Sequence, residues 1–395
     1  MNRLKESLTA NAQWFIDSGV MHPGDGSWGV AERVFLIENN PVVDKTYSAF
    51  PAWTEHKADG YSIIEQRRAD CCFEAAFMFQ QLAGALEDSR YETIAYNLLD
   101  FLYRRSGLLS YKGDHPSLWH WSHIAERGTY WFDDNAWVCI LQLMIAKANP
   151  EWNREFNMTD WAVKLADELA DGFSAQFRQE HRDDFVWCGN LDLPHWGSLP
   201  VMALARAWQV KPDDRYREVA DTYHRYLQEH HQKLTTSEFG YAVLGATMAH
   251  RVFDDALSLE TAVLFADKIL ERMDPLTGSI ASEHYEAPDG ANLADTIYTV
   301  NWAFLALQNM TALTGERKYR DGFDKLLALL LNIQDRTPKK HLYGCWRGMF
   351  DLDAGTWGGG DCYEGGAGSI YTGWTNAPID IVLINAINQK SLLDY

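Results

Sequence analysis

The sequence predicts an all-α protein built from six helix hairpins in one domain, residues 1–395. Two kinds of helical segment alternate along the chain. Some are apolar on nearly every face, and others carry one apolar stripe. A helix apolar all round is buried, whereas a striped one lies between core and solvent. A repeat supports the pairing. Asp88-Ser89-Arg90-Tyr91, Asp213-Asp214-Arg215-Tyr216 and Gly315-Glu316-Arg317-Lys318-Tyr319 each open a striped helix directly after a buried one. Self-similarity at one structural place marks a repeat architecture. Connection lengths add a direction: buried-to-striped links are short, and most striped-to-buried links are long. Long loops inside a compact domain are usually functional. The end where the buried helices begin is therefore the predicted functional face.

Residues 2–18 form the first striped helix, with Leu4, Leu8, Ala12, Trp14 and Phe15 on its apolar side. A polar and aromatic segment runs from Met21 to about Glu65 and contains the turn cluster Gly24-Asp25-Gly26-Ser27-Trp28-Gly29. Residues 69–86 are buried. Residues 89–105 are striped, with Tyr91, Ile94, Leu98, Phe101 and Leu102 at helical spacing. A loop rich in Trp and His spans 106–132. The alternation then continues with buried 133–148, striped 159–176, buried 196–209 and striped 213–231. Buried 237–253, striped 257–273, buried 295–314, striped 317–333 and buried 369–388 complete it. Only the link near 232–236 breaks the rule of long loops into buried helices.

The chain is 47% hydrophobic and 13% aromatic, enough for a sizeable core. A net charge of −20 leaves no Lys/Arg excess to neutralise phosphates, which argues against nucleic acid and against anionic membrane surfaces. No apolar run reaches the roughly 18 residues of a membrane-spanning helix. An anionic small substrate stays open, because a local Arg or His can override the global sign. None of the six cysteines forms a CxxC pair, and Cys71, Cys72 and Cys139 fall in apolar helices, where free Cys acts as a small hydrophobe. A reducing compartment is expected. Because Met1-Asn2-Arg3-Leu4-Lys5-Glu6 has no apolar signal core, that compartment is read as the cytoplasm. The sequence is compatible with a homo-oligomer. His120-x-x-His123 has ligand spacing but no HExxH accompanies it, so neither metal nor cofactor is expected.

The stretch Tyr130-Trp131-Phe132-Asp133-Asp134-Asn135-Ala136-Trp137 opens a buried helix that continues through Val138–Ala146. A helix N-terminus has unpaired N–H groups and a partial positive charge, and one Asp suffices to cap it. The second acid, Asn135 and the flanking rings exceed what a cap needs. They suggest a sugar site, where rings stack on the apolar face of a pyranose; the 16 Trp residues fit the same reading. Neighbouring helical residues point about 100° apart, so only one acid is expected to face the centre. Asp133 is the better placed cap, which leaves Asp134 as the preferred catalytic acid.

Six helical hairpins closed into a ring, with acids and Trp at the inner-helix N-termini, resemble the six-hairpin glycosidases, the (α/α)6 toroids. Asp133-Asp134-Asn135-Ala136-Trp137 is similar to a double-acid-plus-Trp motif of several such families. Tyr363-Glu364-Gly365-Gly366-Ala367-Gly368-Ser369-Ile370-Tyr371-Thr372-Gly373-Trp374-Thr375 resembles their closing segment. Within the group the chain most resembles the uronic-acid-acting members, the glucuronidases of glycoside hydrolase family 154 and the unsaturated-uronyl hydrolases. The resemblance spans nearly the whole chain. It implies a β-glucuronidase-like hydrolase that releases a terminal uronic acid from an oligosaccharide.

Glycoside hydrolysis needs two carboxyl groups, one of them a protonated acid. Besides Asp133 and Asp134, the candidates are Glu238 at the start of the fourth buried helix and Glu364 in a Gly-rich loop; Asp70, Asp295 and Asp361 reach the same face. Asp70 has a plainer alternative as an ion-pair partner of Arg67 or Arg68, and Glu238 and Asp295 as helix-start acids. The Gly-rich loop lacks the GK[ST] of a phosphate loop, so a nucleotide reading is weak. A uronate carboxylate would suit the bidentate fork of Arg67, Arg68, Arg127 or Arg347. His120, His195, Trp131, Asn135, Trp137, Trp196 and Trp374 complete the expected substrate-binding set. Two other readings compete. One is an epimerase or isomerase with paired His as acid and base, for which His195, His250 and His284 are available, although His250 lies far along its helix. The other is a non-catalytic sugar-binding ring.

Overall fold

Segments apolar on all sides must pack against one another, and striped segments must cover them; a ring of hairpins satisfies both demands. A computed structural model of the protein describes residues 2–36, 54–56, 60–113, 115–124, 128–180, 185–282, 292–359 and 365–395. The first helices in chain order are α1 (Asn2–Asp17), α2 (Ala69–Leu86) and α3 (Arg90–Asp100, prolonged by a π turn over Phe101–Arg105). Then come α4 (Phe132–Ala148), α5 (Pro150–Phe156), α6 (Met158–Phe177), α7 (Pro194–Trp208) and α8 (Asp214–His230). The last are α9 (Thr236–Phe253), α10 (Ala256–Arg272), α11 (Val300–Thr314), α12 (Arg317–Ile333) and α13 (Ala377–Asn388).

The inner ring is α2, α4, α7, α9, α11 and α13. Each packs on the next, and α13 returns to pack on α2. The outer layer is α1, α3, α6, α8, α10 and α12. Because α1 lies against α13 and α2, the first and last helices make the sixth hairpin. Inner helices bury nearly every residue; outer ones bury a stripe, such as Tyr91, Ile94, Ala95, Leu98 and Leu99 of α3. No helix among the described residues is long and apolar enough to cross a membrane.

Two of the three repeats share a structural cause, whereas Glu316 makes no side-chain cap bond. Asp88 and Asp213 each accept the backbone N–H two residues on, from Arg90 and Arg215, at 3.0 Å, and each grips that Arg side chain, which fixes the start of the outer helix. The following tyrosines tie neighbouring outer helices together. Tyr216 donates to Asp167 of α6 at 2.9 Å, and Tyr319 donates to Asp267 of α10 at 3.0 Å.

Strands occur only in the loops that lead into inner helices, so the core is helical throughout the described residues. β1 (Arg33–Leu36), β2 (Thr54–His56) and β3 (Tyr61–Ile64) join a strand from the last loop. β4 (Tyr130–Trp131) lies parallel to β5 (Trp187–Cys188), with Trp131 opposite Cys188, and so aligns the entries to α4 and α7. β6 (Leu293–Asp295), β7 (Met349–Asp351) and β8 (Thr356–Trp357) form an antiparallel sheet. β9 (Ser369–Tyr371) is the strand that pairs with β1, placing Tyr371 opposite Arg33 in the order β2-β3-β1-β9.

Three boundaries differ from the periodicity reading. The fifth inner helix starts at Val300, not near 295. Asp295 belongs to β6, and its Oδ1 accepts the N–H groups of Ile297 and Tyr298 at 2.8 and 3.1 Å, a turn that precedes the helix. The sixth inner helix starts at Ala377, because β9 and a π turn over Thr372–Asn376 occupy the residues before it. The short helix α5 fills part of the link between α4 and α6. Asn149 caps it by accepting the N–H groups of Glu151 and Trp152 at 3.1 Å.

Candidate active site

The N-termini of all six inner helices, or the turns that enter them, meet at a cavity of about 420 Å³. Helix α2 contributes Arg68, α4 contributes Asp133 and Asp134, α7 contributes His195 and Trp196, and α9 contributes Glu238 and Tyr241. The approach to α11 adds Tyr298, the approach to α13 adds Tyr371 and Trp374, and the loop before α4 adds Trp121. A larger depression of about 1010 Å³ lies at the opposite end of the ring, around Gln80, Lys147 and Asn388. Its wall carries acids too, Glu87, Asp88, Glu92 and Asp394, but among the described residues Tyr395 is its one aromatic ring and no inner-helix N-terminus opens into it, so the smaller cavity is the site.

Arg68 occupies the N-cap position of α2 in extended backbone. Its Nε and Nη2 donate to the two oxygens of Asp70 at 3.1 and 2.7 Å. Nη2 also donates to Asp134 Oδ1 at 2.8 Å, and Nη1 donates to Glu32 Oε1 at 3.2 Å. The guanidinium stands 5.6 Å from the ring centres of both Trp121 and Trp374. Burial opposes its charge, yet Asp70 and Asp134 keep it firmly protonated. Burial also pushes Glu32 up, but Arg33 and Arg68 together hold it below the usual carboxylate range.

Asp134 behaves in the opposite way. Burial, and then the neighbouring charges of Asp70 and Asp133, push its carboxyl well above the ordinary range against the pull of Arg68, and it hydrogen-bonds with Asp70. A carboxyl group beside other carboxylates ionises less readily, which favours the protonated form of Asp134. Burial raises Asp133 too, while His195 and Arg68 oppose the rise.

One helical turn beyond Asp70, Glu74 faces the same way. Its Oε1 accepts Trp137 Nε1 at 2.6 Å and its Oε2 accepts the Trp374 backbone N–H at 2.9 Å. Burial, with Asp70 nearby, lifts its carboxyl to about 8. Trp374 is thus held at both ends, since its Nε1 donates to Asp70 Oδ2 at 2.5 Å. Its backbone has φ 56°, a left-handed conformation rare for a bulky residue. Gly373 permits the approach, because a Cβ there would lie 2.1 Å from Glu74 Oε2.

Across the cavity, Glu238 gives both carboxylate oxygens to one residue. Oε2 accepts the His195 backbone N–H at 2.9 Å, and Oε1 meets His195 Nδ1 at 2.6 Å. The His195 ring packs at 4.0 Å on Trp196, which stacks on Trp131 at 6.0 Å and 18°. Burial would lower the His195 pKa, but Glu238 and then Asp133 raise it above the ordinary value.

The structure therefore brings Arg68, Trp131, Asp133, Asp134, His195, Trp196, Glu238 and Trp374 to one cavity. Both acids of the pair line it, contrary to the expectation that one would cap the helix. The N-cap position of α4 is Trp131 and no side chain caps it; the acids lie inside the first turn. Other expected residues are turned elsewhere. Asn135 is fully buried, accepts the Trp119 N–H and donates to the Trp119 and Trp131 carbonyls, so it ties loop to helix. Trp137 is buried beneath the cavity on Glu74. Arg67 donates to the carbonyls of Trp28 and Glu65 and to the Glu65 carboxylate. Arg347 is gripped by Asp335 at 2.5 and 2.6 Å. His120 stacks on Tyr130 at 4.9 Å, and its Nδ1 accepts the Gly128 N–H. Glu364 and Arg127 lie outside the described residues.

Sequence reasoning missed Glu32, Glu74 and Tyr241. Two of these carried a signal. Glu74 is an acid inside an otherwise apolar helix, four residues after Asp70, and Tyr241 follows Glu238 by three on the same inner helix, α9. Nothing marked Glu32 in its loop.

No family model matches the sequence, and comparison with curated protein sequences gives no significant match. Solved structures do match. A D-mannose isomerase is 12% identical, with 98% of each chain covered and a TM-score of 0.63. An unsaturated glucuronyl hydrolase variant from Streptococcus agalactiae is 14% identical, covering 99% of this chain and 92% of the other, with a TM-score of 0.59. An inactive variant of an α-1,6-mannanase from a Salegentibacter species, with two consecutive aspartates changed to asparagine and α-1,6-mannotriose bound, is 10% identical. It covers 98% of this chain and 99% of its own, with a TM-score of 0.57. At these identities the likeness establishes the fold, that of the six-hairpin (α/α)6 toroids.

Proposed function

We propose that the protein is a glycoside hydrolase that releases one terminal sugar, a uronic acid, from an oligosaccharide, with Asp134 as general acid. The observation that carries the reading is Asp134 itself. It is a cavity-wall carboxyl group bonded to Arg68 and Asp70, and it holds its proton above the usual range. A general acid must keep that proton until the glycosidic oxygen takes up charge. Asp133, on the same wall, is the second carboxyl group. Trp121, Trp131, Trp196 and Trp374 supply apolar faces for a pyranose. The volume of about 420 Å³ is near the small end for small-molecule sites, which favours a terminal unit over a long polymer stretch. The uronate part of the reading rests on the lining cations Arg68 and His195, since Arg67 and Arg347 are engaged away from the cavity.

Epimerisation by paired histidines has less support. His195 lines the cavity, but His250 Nδ1 bonds the Asp255 carbonyl at the far end of α9, and His284 lies outside the described residues. A screen of aryl glycosides that includes an aryl β-glucuronide tests the proposal. Release of the aryl group from the glucuronide, lost in Asp134→Asn, is the expected result. Failure to cleave any glycoside, with interconversion of a free sugar instead, would overturn it.

A further inference from the structure

We propose that His195, oriented by Glu238, is the group that receives an anionic substituent of the sugar and thereby sets the preference for uronides. This rests on the hydrolase reading and deepens it. The arginine expected for that task is not free to perform it. Among the described residues Arg68 is the arginine on the cavity wall, and its fork is divided among Asp70, Asp134 and Glu32. A sugar carboxylate would have to compete with three carboxyl groups already in place. His195 is engaged differently. Glu238 takes its backbone N–H and its Nδ1, so Nδ1 carries the proton and Nε2 is the ring nitrogen left over. Nε2 has no partner among the described residues, and 19% of the side chain stays exposed on the cavity wall.

The charged and titratable groups facing His195 are Glu238 and Tyr241 from α9 and Asp133 from α4. Their net effect keeps the imidazolium to higher pH than in a free histidine, although burial works against it. An imidazolium Nε2–H can make a charge-assisted hydrogen bond to a carboxylate, stronger than one to a hydroxyl. Glu238 acts as a positioning residue: both of its oxygens are occupied by His195, and its side chain is 5% exposed.

The test has a binding arm and a kinetic arm. In the first, calorimetry compares D-glucuronate with D-glucose in wild type, His195→Gln and Glu238→Gln, with thermal unfolding as a folding check. Wild type is expected to favour glucuronate, and His195→Gln to reduce that preference about ten- to a hundredfold. The preference should persist above pH 6.5, the ordinary histidine value, and fade as pH rises through the raised one. In Glu238→Gln it should fade at lower pH. In the second arm, the ratio of kcat/KM for aryl β-glucuronide over aryl β-glucoside follows the same pattern. An unchanged preference in His195→Gln, or an unchanged pH dependence in Glu238→Gln, overturns the proposal. If neither glycoside is cleaved but the binding preference behaves as described, the hydrolase reading fails and the role of His195 stands.

Discussion

Replacing Asp134 by Asn separates chemistry from stability, because the two depend on different forms of the side chain. Burial and the charges of Asp70 and Asp133 favour the protonated wild-type carboxyl, so Asn changes little in charge or shape. Its amide oxygen can still accept from Arg68 Nη2, as Asp134 Oδ1 does at 2.8 Å, and its NH2 can face Asp70 where Asp134 makes its hydrogen bond. The variant should lose no more than about 1–2 kcal/mol, the scale of one altered hydrogen bond. Catalysis should suffer far more, since Asn cannot release a proton. Removing a positioned general acid costs roughly 10²–10⁴ in rate. The assay is kcat on an aryl β-glucuronide beside thermal unfolding. Substrates with a very acidic leaving phenol should recover part of the rate, because they need less protonation. Wild-type activity on ordinary substrates should also fall as pH rises through the raised value of Asp134, where the acid loses its proton. Asp134→Asn retaining more than a tenth of wild-type activity, with Asp133→Asn inactive, would transfer the role to Asp133.

Gly373→Ala should destabilise the fold by about 1–3 kcal/mol and reduce activity, because the added Cβ would collide with Glu74 Oε2 and with Cys71 Sγ at 2.7 Å; an unchanged melting temperature would contradict that packing. Arg347→Ala strips the partner from Asp335, whose side chain is 2% exposed, and should cost about 3–5 kcal/mol in denaturant unfolding while the glucuronide-to-glucoside ratio stays constant. Glu74 should make the fold less stable as pH rises. Its folded value of about 8 exceeds the ordinary 4.5, so between these limits the native state binds the extra proton and stability declines with pH. Glu74→Gln should remove a slope on the order of 1 kcal/mol per pH unit from the difference in unfolding free energy between pH 5 and pH 8; a parallel pH dependence would refute it.

The ring was legible because its signal is physical and repeated. Segments such as Val138–Ala146, apolar on every face, have nowhere to go but an interior, and acid-Arg-Tyr marks the starts of α3 and α8, where the acid binds the N–H two residues on. The functional face followed from loop lengths, and Asp133, Asp134, His195 and Trp374 followed from that face. What spacing could not supply was which way each side chain turns. Arg67 and Arg68 are adjacent and chemically alike, yet the extended backbone at the α2 N-cap sends one to Trp28 and Glu65 and the other into the cavity. Asn135 looked like a sugar ligand because of its neighbours; the unpaired backbone groups of Trp119 claimed it. The roles of Glu238 and Glu74 depend on partners from other helices, which a single sequence does not reveal.

Closing the ring and completing the cavity are one structural event. Trp374 lies in the segment that enters the last inner helix, and its partners Asp70 and Glu74 stand 304 and 300 positions earlier, on the first. Those contacts are where α13 meets α2, the seam that turns a row of hairpins into a closed ring. The same seam carries the strained φ of Trp374, the close approach at Gly373, and the cation that holds Asp70 and Asp134 together. A conformation of this kind costs about 1–3 kcal/mol and persists only where its surroundings determine it. Here two buried carboxyl groups do so, one on the indole N–H and one on the backbone N–H. Without the seam, Asp70 would lose its indole partner and Glu74 its backbone donor, and Arg68 would lose one of its two flanking rings. The acid on the cavity wall is therefore tuned by the contacts that close the fold, which explains why so many ionisable groups are tolerated in its interior.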